Sequence, residues 1–370
     1  MKIGQISLAY QPINGGQEVY INELIKVFEK AGFDSIVYQT KRNGRYPNTQ
    51  MVPRVPFLHR IIPGIDQHIF NLFLYLFFRK KIKSEDIIIC HYALQALPVW
   101  DLRKKIVVLS HGIEWYPEEK SFNTFIKERI YKRAFDRFVT VANDTDYFRH
   151  FGLDVKPGEK FFEEVAHNKW FIPNCVDIEH FKKTEGIPEL KNKNIIFVPR
   201  QIVPDRGIHL AIESFYHFQK THKDFYLYIA GQPLIGRYYN FCLSLIKKYA
   251  LSERVKFLGR ITRDRLPDYY SSAKLCLIPT IRREGTSLSA LESMSCGTAT
   301  ISTDVAGLKD LPTYKVSQDP INISAGISAV LENVKEIANQ QAEFTRSTFN
   351  LTNWRIAWLR VINSIESNAN

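Results

Sequence analysis

Cysteine is scarce in this 370-residue chain and forms no framework: Cys90, Cys175, Cys242, Cys276 and Cys296 are odd in number and include no C-x-x-C pair. Most lie in apolar surroundings, which disfavours a disulfide scaffold or a zinc site and suits reduced core thiols of a cytosolic protein. Long apolar runs are missing too. Ile69-Phe-Asn-Leu-Phe-Leu-Tyr-Leu-Phe-Phe78 falls well short of the roughly 20 residues that span a bilayer. No basic leader with an apolar signal core precedes the first strand pattern, which opens at Met1-Lys-Ile-Gly-Gln5, so secretion is not expected. Acidic residues nearly vanish between Lys41 and Lys83, where nine Lys or Arg stand against Asp66 alone.

The length exceeds what one hydrophobic core usually organises, so two domains are expected. A content of 45% hydrophobic and 24% charged residues is ordinary for a globular protein. The net charge of +12 invites a nucleic-acid reading, but two thirds of the excess falls in the Lys41–Lys83 window. That window also holds the aromatic run and its basic sequel, Arg79-Lys-Lys-Ile-Lys83. Two readings of the run stay open: a buried core helix, or an apolar helix edged by cations that lies in an anionic membrane interface.

The most informative stretch is Glu284-Gly-Thr-Ser-Leu-Ser-Ala-Leu-Glu292. It comes after Leu275-Cys-Leu-Ile-Pro279, which reads as a buried strand, and leads into Leu288, Leu291 and Met294, spaced by three as on the packed face of a helix. Strand, loop and helix in that order place a helix N-terminus at the carboxyl edge of a parallel sheet. Free backbone N–H groups and the positive dipole end there favour a phosphate. Thr286 or Ser287 is placed to cap the helix. Two acids eight residues apart are by themselves an ordinary solvated helix face. The next residues are more specific: Gly297, a second short strand in Thr-Ala-Thr-Ile-Ser-Thr-Asp304, and a second glycine-bearing turn in Val-Ala-Gly307-Leu-Lys-Asp310. The segment resembles the nucleotide-sugar site of retaining family 4 glycosyltransferases with the GT-B fold: Glu, seven residues, Glu, Met-x-x-Gly, strand, Gly. The resemblance implies an α/β fold of two doubly wound, Rossmann-like domains facing across a cleft. It implies that Glu284 bonds donor-sugar hydroxyls and Glu292 the ribose hydroxyls, with Gly285, Thr286, Ser287 and Leu288 lining the nucleotide sugar.

Other stretches carry the same resemblance. Ile195-Ile-Phe-Val198 leads to Arg200 and then to Asp205-Arg206-Gly207. Two arginines and a glycine in a strand-to-helix loop suit a diphosphate, although a basic surface loop has the same composition. The family has Arg, then Lys-Gly. Arg206 therefore keeps the charge but substitutes a planar fork for a point charge. By resemblance Arg200 and Arg206 stabilise the leaving diphosphate, acting on a phosphate and not on a core. Pro12-Ile-Asn-Gly15-Gly16 lacks the spacing of a dinucleotide fingerprint. It reads as a tight connection or, by resemblance, as the Gly15-Gly16 loop that approaches the donor. Ile106-Val-Val-Leu-Ser110 ends in His111-Gly112; a strand-end histidine is usually structural, but the family's matching His-Gly contacts the donor sugar, a role carried over to His111. Asp144 and Asp146 form a D-x-D pair where a helix begins, and read as caps before metal ligands. Phe171-Ile-Pro-Asn174-Cys-Val-Asp177 resembles the family's hinge, with Cys175 replacing a glycine, so a positive φ is not expected there.

The expected division is 1–188 for an acceptor-side domain, 189–348 for a nucleotide-sugar-binding domain, and 349–370 for a helix crossing back to the first. The implied activity is transfer of a sugar, with retention, from a UDP- or GDP-linked donor to a glycan or lipid-linked acceptor in surface polysaccharide assembly. No cofactor and no metal are expected, nor nucleic acid as a partner. An anionic membrane surface is expected as a partner, with the protein on the cytoplasmic, inner face of the cell membrane. Another GT-B enzyme such as a nucleotide-sugar epimerase is the near alternative, and a non-catalytic basic protein binding nucleic acid or membrane the distant one. A hydrolase is disfavoured because Glu284 and Glu292 belong to one loop-helix unit, whereas two opposed carboxyls must flank a glycosidic bond.

Overall fold

The computed structural model describes residues 1–370 except 14, 43, 45, 56–64, 103–105, 114, 116–118 and 368–370, so part of the basic Lys41–Lys83 window lies outside the described residues. The chain divides into two compact units. The first takes Met1–Val155, Phe162–Ile172 and Arg355–Asn370, and the second takes Lys156–Phe161 and Pro173–Trp354. The main division thus falls at Ile172/Pro173, ahead of the expected 188/189. The residues just past it are tied to the second unit: Asn174 Nδ2 donates to Thr286 O, Ser295 Oγ to Phe181 O, and Thr184 Oγ1 to Asp268 Oδ1 at 2.8 Å.

In the first unit, β1 (Lys2–Ile6), β2 (Asp34–Thr40), β3 (Thr49–Val52), β4 (Ile87–Cys90), β5 (Ile106–Ser110), β6 (Val139–Ala142), β7 (Glu163–Ala166) and β8 (Lys169–Phe171) form one sheet. Its order is β3-β2-β1-β4-β5-β6-β8-β7, parallel throughout except for the β7/β8 pair. The continuous apolar runs of β4 and β5 are buried at every residue, as central strands covered on both faces must be. Helix Thr145–His150 is capped by Asp144, whose Oδ1 accepts from Tyr147 N at 2.9 Å, and Asp146 pairs with Arg149. The final helix, Leu351–Ser367, returns to this unit. There Trp358 is buried and donates through Nε1 to Tyr20 OH at 2.9 Å.

The second unit holds β9 (Asn194–Pro199), β10 (Phe225–Ala230), β11 (Val255–Gly259), β12 (Leu275–Ile278), β13 (Ala299–Thr303) and β14 (Tyr314–Val316) in the order β11-β10-β9-β12-β13-β14, all parallel. Its core joins Ile196, Val198, Leu227, Leu275 and Ile301 of the sheet to Ile212 and Phe215 of helix Ile208–Phe218 and to Ile323 and Ile327 of helix Pro320–Glu332. The first six strands of each unit share one order, and each order reverses at a switch point: β1/β4 in the first unit and β9/β12 in the second. Connections diverge from such a point and leave a crevice at the carboxyl ends of its strands. The loops after β9 and β12 carry Arg200 and Glu284; the loops after β1 and β5 carry Gly15-Gly16 and His111.

The aromatic run lies in helix Ile65–Phe73, a π-helical turn Leu74–Phe78 and helix Arg79–Lys83. One side is core, with Phe70, Leu74 and Ile82 buried, while Leu72, Tyr75, Leu76 and Phe77 are 52%, 52%, 58% and 67% exposed. Arg79 turns to the protein, donating to Pro98 O at 2.5 Å and Asp101 Oδ2 at 2.7 Å.

Candidate active site

At the β9/β12 switch point a single carboxylate oxygen gathers two guanidinium groups. Glu284 Oε2 accepts from Arg200 Nη2, from Arg206 Nη1 at 2.5 Å and from Thr280 Oγ1 at 3.2 Å. Arg200 is further held by Thr280 Oγ1 at 3.1 Å and Ser287 Oγ at 3.3 Å. Glu284 and Arg200 are buried, and Arg206 is about a quarter exposed. Burial alone would raise the Glu284 pKa, but the two arginines outweigh it and hold the carboxyl below its ordinary value. The arrangement is a pair of cations, one buried and one partly exposed, that share an ionised acceptor. Arg200 is thus a core residue as well as a site residue, contrary to the expectation that both charges stand free of the core.

Two glycines let the loops close up this tightly. Gly207 has φ of 66°, and a Cβ there would lie 1.8 Å from Pro279 O. Gly307 donates its amide to Glu284 O at 2.9 Å, and a Cβ there would lie 2.4 Å from the Gly285 carbonyl carbon. Leu288 opens the site helix, Leu288–Ser295, and Ser287 occupies its N-cap, but no side-chain cap bond forms. The Ser287 hydroxyl is turned to Arg200 instead, and the backbone carbonyl of Thr286 accepts from Asn174 Nδ2.

Glu292 is buried inside the same helix and accepts from Tyr270 OH at 3.0 Å. Burial raises its pKa to about 7, against the opposing pull of Arg263 and the Tyr270 bond. Near neutrality Glu292 is therefore partly protonated.

In the first unit Gly15 is the N-cap of helix Gly16–Lys30, and Gln17 of that helix accepts from Tyr92 OH at 3.1 Å. His111 packs edge-on to Tyr20 of the same helix at 5.0 Å and stacks on His91 at 5.4 Å. Its Nε2 lies 3.1 Å from His91 Nδ1, and His91 Nε2 lies 2.9 Å from Gln5 Oε1. Burial lowers the pKa of both rings, that of His111 to about 3, so the pair is neutral at physiological pH. A neutral histidine at a strand end offers a hydrogen bond without a charge.

Residues 178–347 match the family of glycosyl transferases group 1, and residues 14–157 match glycosyltransferase family 4. The chain is a glycosyltransferase of GT-B fold, with a family 4 domain followed by a group 1 domain. This glycosyltransferase is 24% identical to an uncharacterized glycosyltransferase of Methanocaldococcus jannaschii over 82% of its own length and 79% of the relative's. It matches sucrose-phosphate synthase from Thermosynechococcus elongatus with a TM-score of 0.81 at 18% identity, covering 99% of both chains. Against Anabaena HepE, solved with UDP and glucose, the TM-score is 0.77 at 16% identity, covering 98% of this chain and 100% of the other. At such identities the solved structures bear on the fold alone.

Within the glycosyltransferase, Arg200, Arg206, Glu284 and Ser287 meet directly; Gly15, Gly16 and His111 belong to the first unit. Sequence reasoning passed over Thr280, Tyr270, His91, Asp205 and Arg283. Thr280 and His91 each stand one or two residues past a strand end, which is the signal that could have found them. Tyr270 has none: it comes from helix Leu266–Ser272, whose residues read as ordinary packing.

Proposed function

We propose that the enzyme transfers a hexose, with retention of anomeric configuration, from a UDP- or GDP-linked donor to a glycan or lipid-linked acceptor in surface polysaccharide assembly. The observation that carries this reading is the Arg200–Glu284–Arg206 cluster at a sheet switch point. In transfer, the bond from the anomeric carbon to the diphosphate oxygen breaks and its electron pair stays on the diphosphate. An acceptor hydroxyl oxygen forms the new bond, and its proton passes to the departing diphosphate. Arg200 and Arg206 are fixed beforehand where that negative charge grows, which is the strongest single lever available to such a site. They supply the positive charge themselves, so no metal is required in this reading. Glu284, ionised between them, accepts from donor-sugar hydroxyls, and Glu292 from the ribose. A carboxylate so held is a poor general acid, which weighs against a hydrolase. HepE, which shares the fold, was solved with UDP-glucose, which makes a UDP-linked sugar the first donor to test.

No helix among the described residues is long and apolar enough to cross a membrane. The exposed Leu72, Tyr75, Leu76 and Phe77, beside Lys80 and Lys83, support a peripheral position on the anionic inner face of the cell membrane, where a lipid-linked acceptor would be found. The donor is tested by thermal shift against a panel of UDP-, GDP- and ADP-linked sugars, then by product analysis with a lipid-linked acceptor pool. Stabilisation by one nucleotide class and a product of retained configuration are expected. An inverted product, or an epimerised nucleotide sugar formed without acceptor, would overturn the reading.

A further inference from the structure

Behind the two arginines lies a second tier of contacts. Asp205, in the 3-10 turn Pro204–Arg206, grips the Glu284 loop twice. Its carbonyl accepts from Ile281 N at 2.8 Å, and its Oδ2 accepts from Arg283 Nε at 3.1 Å and Nη2 at 2.6 Å. Each end of this clasp adjoins a site residue, because Asp205 precedes Arg206 and Arg283 precedes Glu284. Arg283 has φ of 46°, in the left-handed region that a non-glycine residue enters only when its surroundings hold it there. The turn so made aims its carbonyl at Arg206: Arg206 Nη1 donates to Arg283 O at 2.9 Å and to Glu284 Oε2 at 2.5 Å. The two acceptors that orient this guanidinium are thus consecutive residues of the clasped turn.

We propose that Asp205 and Arg283 are a positioning pair that holds the Arg206 guanidinium at the diphosphate subsite, an inference that rests on the proposed donor reading. Arg200 needs no such device, being buried and bonded by Thr280 and Ser287. Arg206 is the more exposed cation, on a long side chain that gains freedom in water, and it is the one the clasp serves. A cation contributes fully to leaving-group stabilisation only when its orientation is set before the charge develops. Asp205 and Arg283 are themselves partly exposed, and an ion pair in that setting contributes little to global stability. A positioning role and a merely structural one are therefore separable.

The test is a cycle of Asp205→Asn, Arg206→Ala and the double variant in the full chain. It reads inorganic pyrophosphate affinity by calorimetry, and kcat and KM separately with the donor that the thermal panel selects. Asp205→Asn should lower kcat roughly 10- to 100-fold, the scale of a misaimed catalytic group. KM and Tm should change little. In the Arg206→Ala background the same substitution should cost almost nothing further, in kcat or in pyrophosphate affinity. A wild-type kcat in folded Asp205→Asn, or an equal loss in both backgrounds, overturns the proposal. If Asp205→Asn does not fold, Arg283→Gln runs the same cycle from the other end of the clasp. Undiminished turnover and pyrophosphate affinity in Arg206→Ala alone would remove the diphosphate reading, and the proposal with it.

Discussion

Arg200 and Arg206 share one carboxylate oxygen but sit in different surroundings, so their removal should fail in different ways. Arg206→Ala takes away a partly exposed cation and should cost about 2–4 kcal/mol of transition-state stabilisation with the fold intact. Arg200→Ala instead removes a cation that is itself buried and bonded to Glu284, Thr280 and Ser287, and breaking such a buried pair costs about 3–5 kcal/mol of stability. Kinetics beside thermal melts separate the two: both variants slow, but only Arg200→Ala melts early. Near-normal rates in both would remove the diphosphate role. The residue types were legible in the sequence, because two arginines and a glycine in a strand-to-helix loop already suit a phosphate. The burial of Arg200 was not, since Thr280 and Ser287 converge on it from distant parts of the chain. Glu292 gives a second residue-scale outcome. Its folded pKa of about 7 lies above its unfolded value, so the folded state holds the extra proton between the two, and stability falls as pH rises through that window. Ionisation makes the carboxylate a better acceptor for a ribose hydroxyl. Affinity for a nucleotide sugar, whose diphosphate does not titrate near neutrality, should therefore rise in the parent between about one pH unit below that midpoint and about one unit above it. The rise should be absent in Glu292→Gln. A flat parent profile would place Glu292 outside the ribose site.

At the scale of elements, the loops after β9 and β12 work as one body because glycine lets their backbones touch. Gly207→Ala forces a Cβ to within 1.8 Å of Pro279 O at a φ of 66°. Neither loop can yield without moving Arg206 or Glu284. A destabilisation of about 3 kcal/mol or more is expected, above the usual range for overpacking because backbone strain adds to the clash. Gly236→Ala is the control, since nothing lies within 4 Å of a Cβ there and its φ is not positive. Equal melting temperatures for the two variants would show that the loops are not pressed together in solution. The sequence displays this strand-loop-helix unit plainly: the apolar run of β12, the spacing of Leu288, Leu291 and Met294, and the glycine turns all point the same way. It hides two details. Ser287 stands where a cap should be, yet its hydroxyl accepts at 3.3 Å from Arg200, a residue of a different loop that no local pattern links to it. β14 is three residues long, too short to show a period.

At the scale of the whole molecule, the division into two parallel-sheet units follows from length and from the two sets of strand-loop-helix repeats, which the sequence shows. The ambiguous Ile69–Phe78 run could not be assigned from sequence, because an amphipathic core helix and an interfacial one carry the same composition. In the structure one side of it is core, with Phe70 and Leu74 buried, and the other is exposed, with Leu72, Tyr75, Leu76 and Phe77 facing out. An apolar ridge beside cations binds anionic bilayers through two components. Charge attracts, at about 1 kcal/mol per Lys or Arg near the surface, and is screened by salt; the inserted side chains hold on after screening. Arg79 donates to Pro98 and Asp101 and Lys81 donates to Gln50, while Lys83 reaches Asp101 only at 3.9 Å, so the cations to test are Lys80 and Lys83. The parent should sediment with anionic vesicles more than with neutral ones, and moderate salt should weaken the binding without abolishing it. Leu76→Ser with Phe77→Ser should remove the salt-resistant part, and Lys80→Glu with Lys83→Glu the salt-sensitive part. Both pairs should slow transfer to a lipid-linked acceptor while sparing transfer to a soluble acceptor mimic, because neither touches the arginine cluster. If both pairs bind vesicles as the parent does, the exposed ridge has no lipid to meet and the membrane position of this enzyme is refuted.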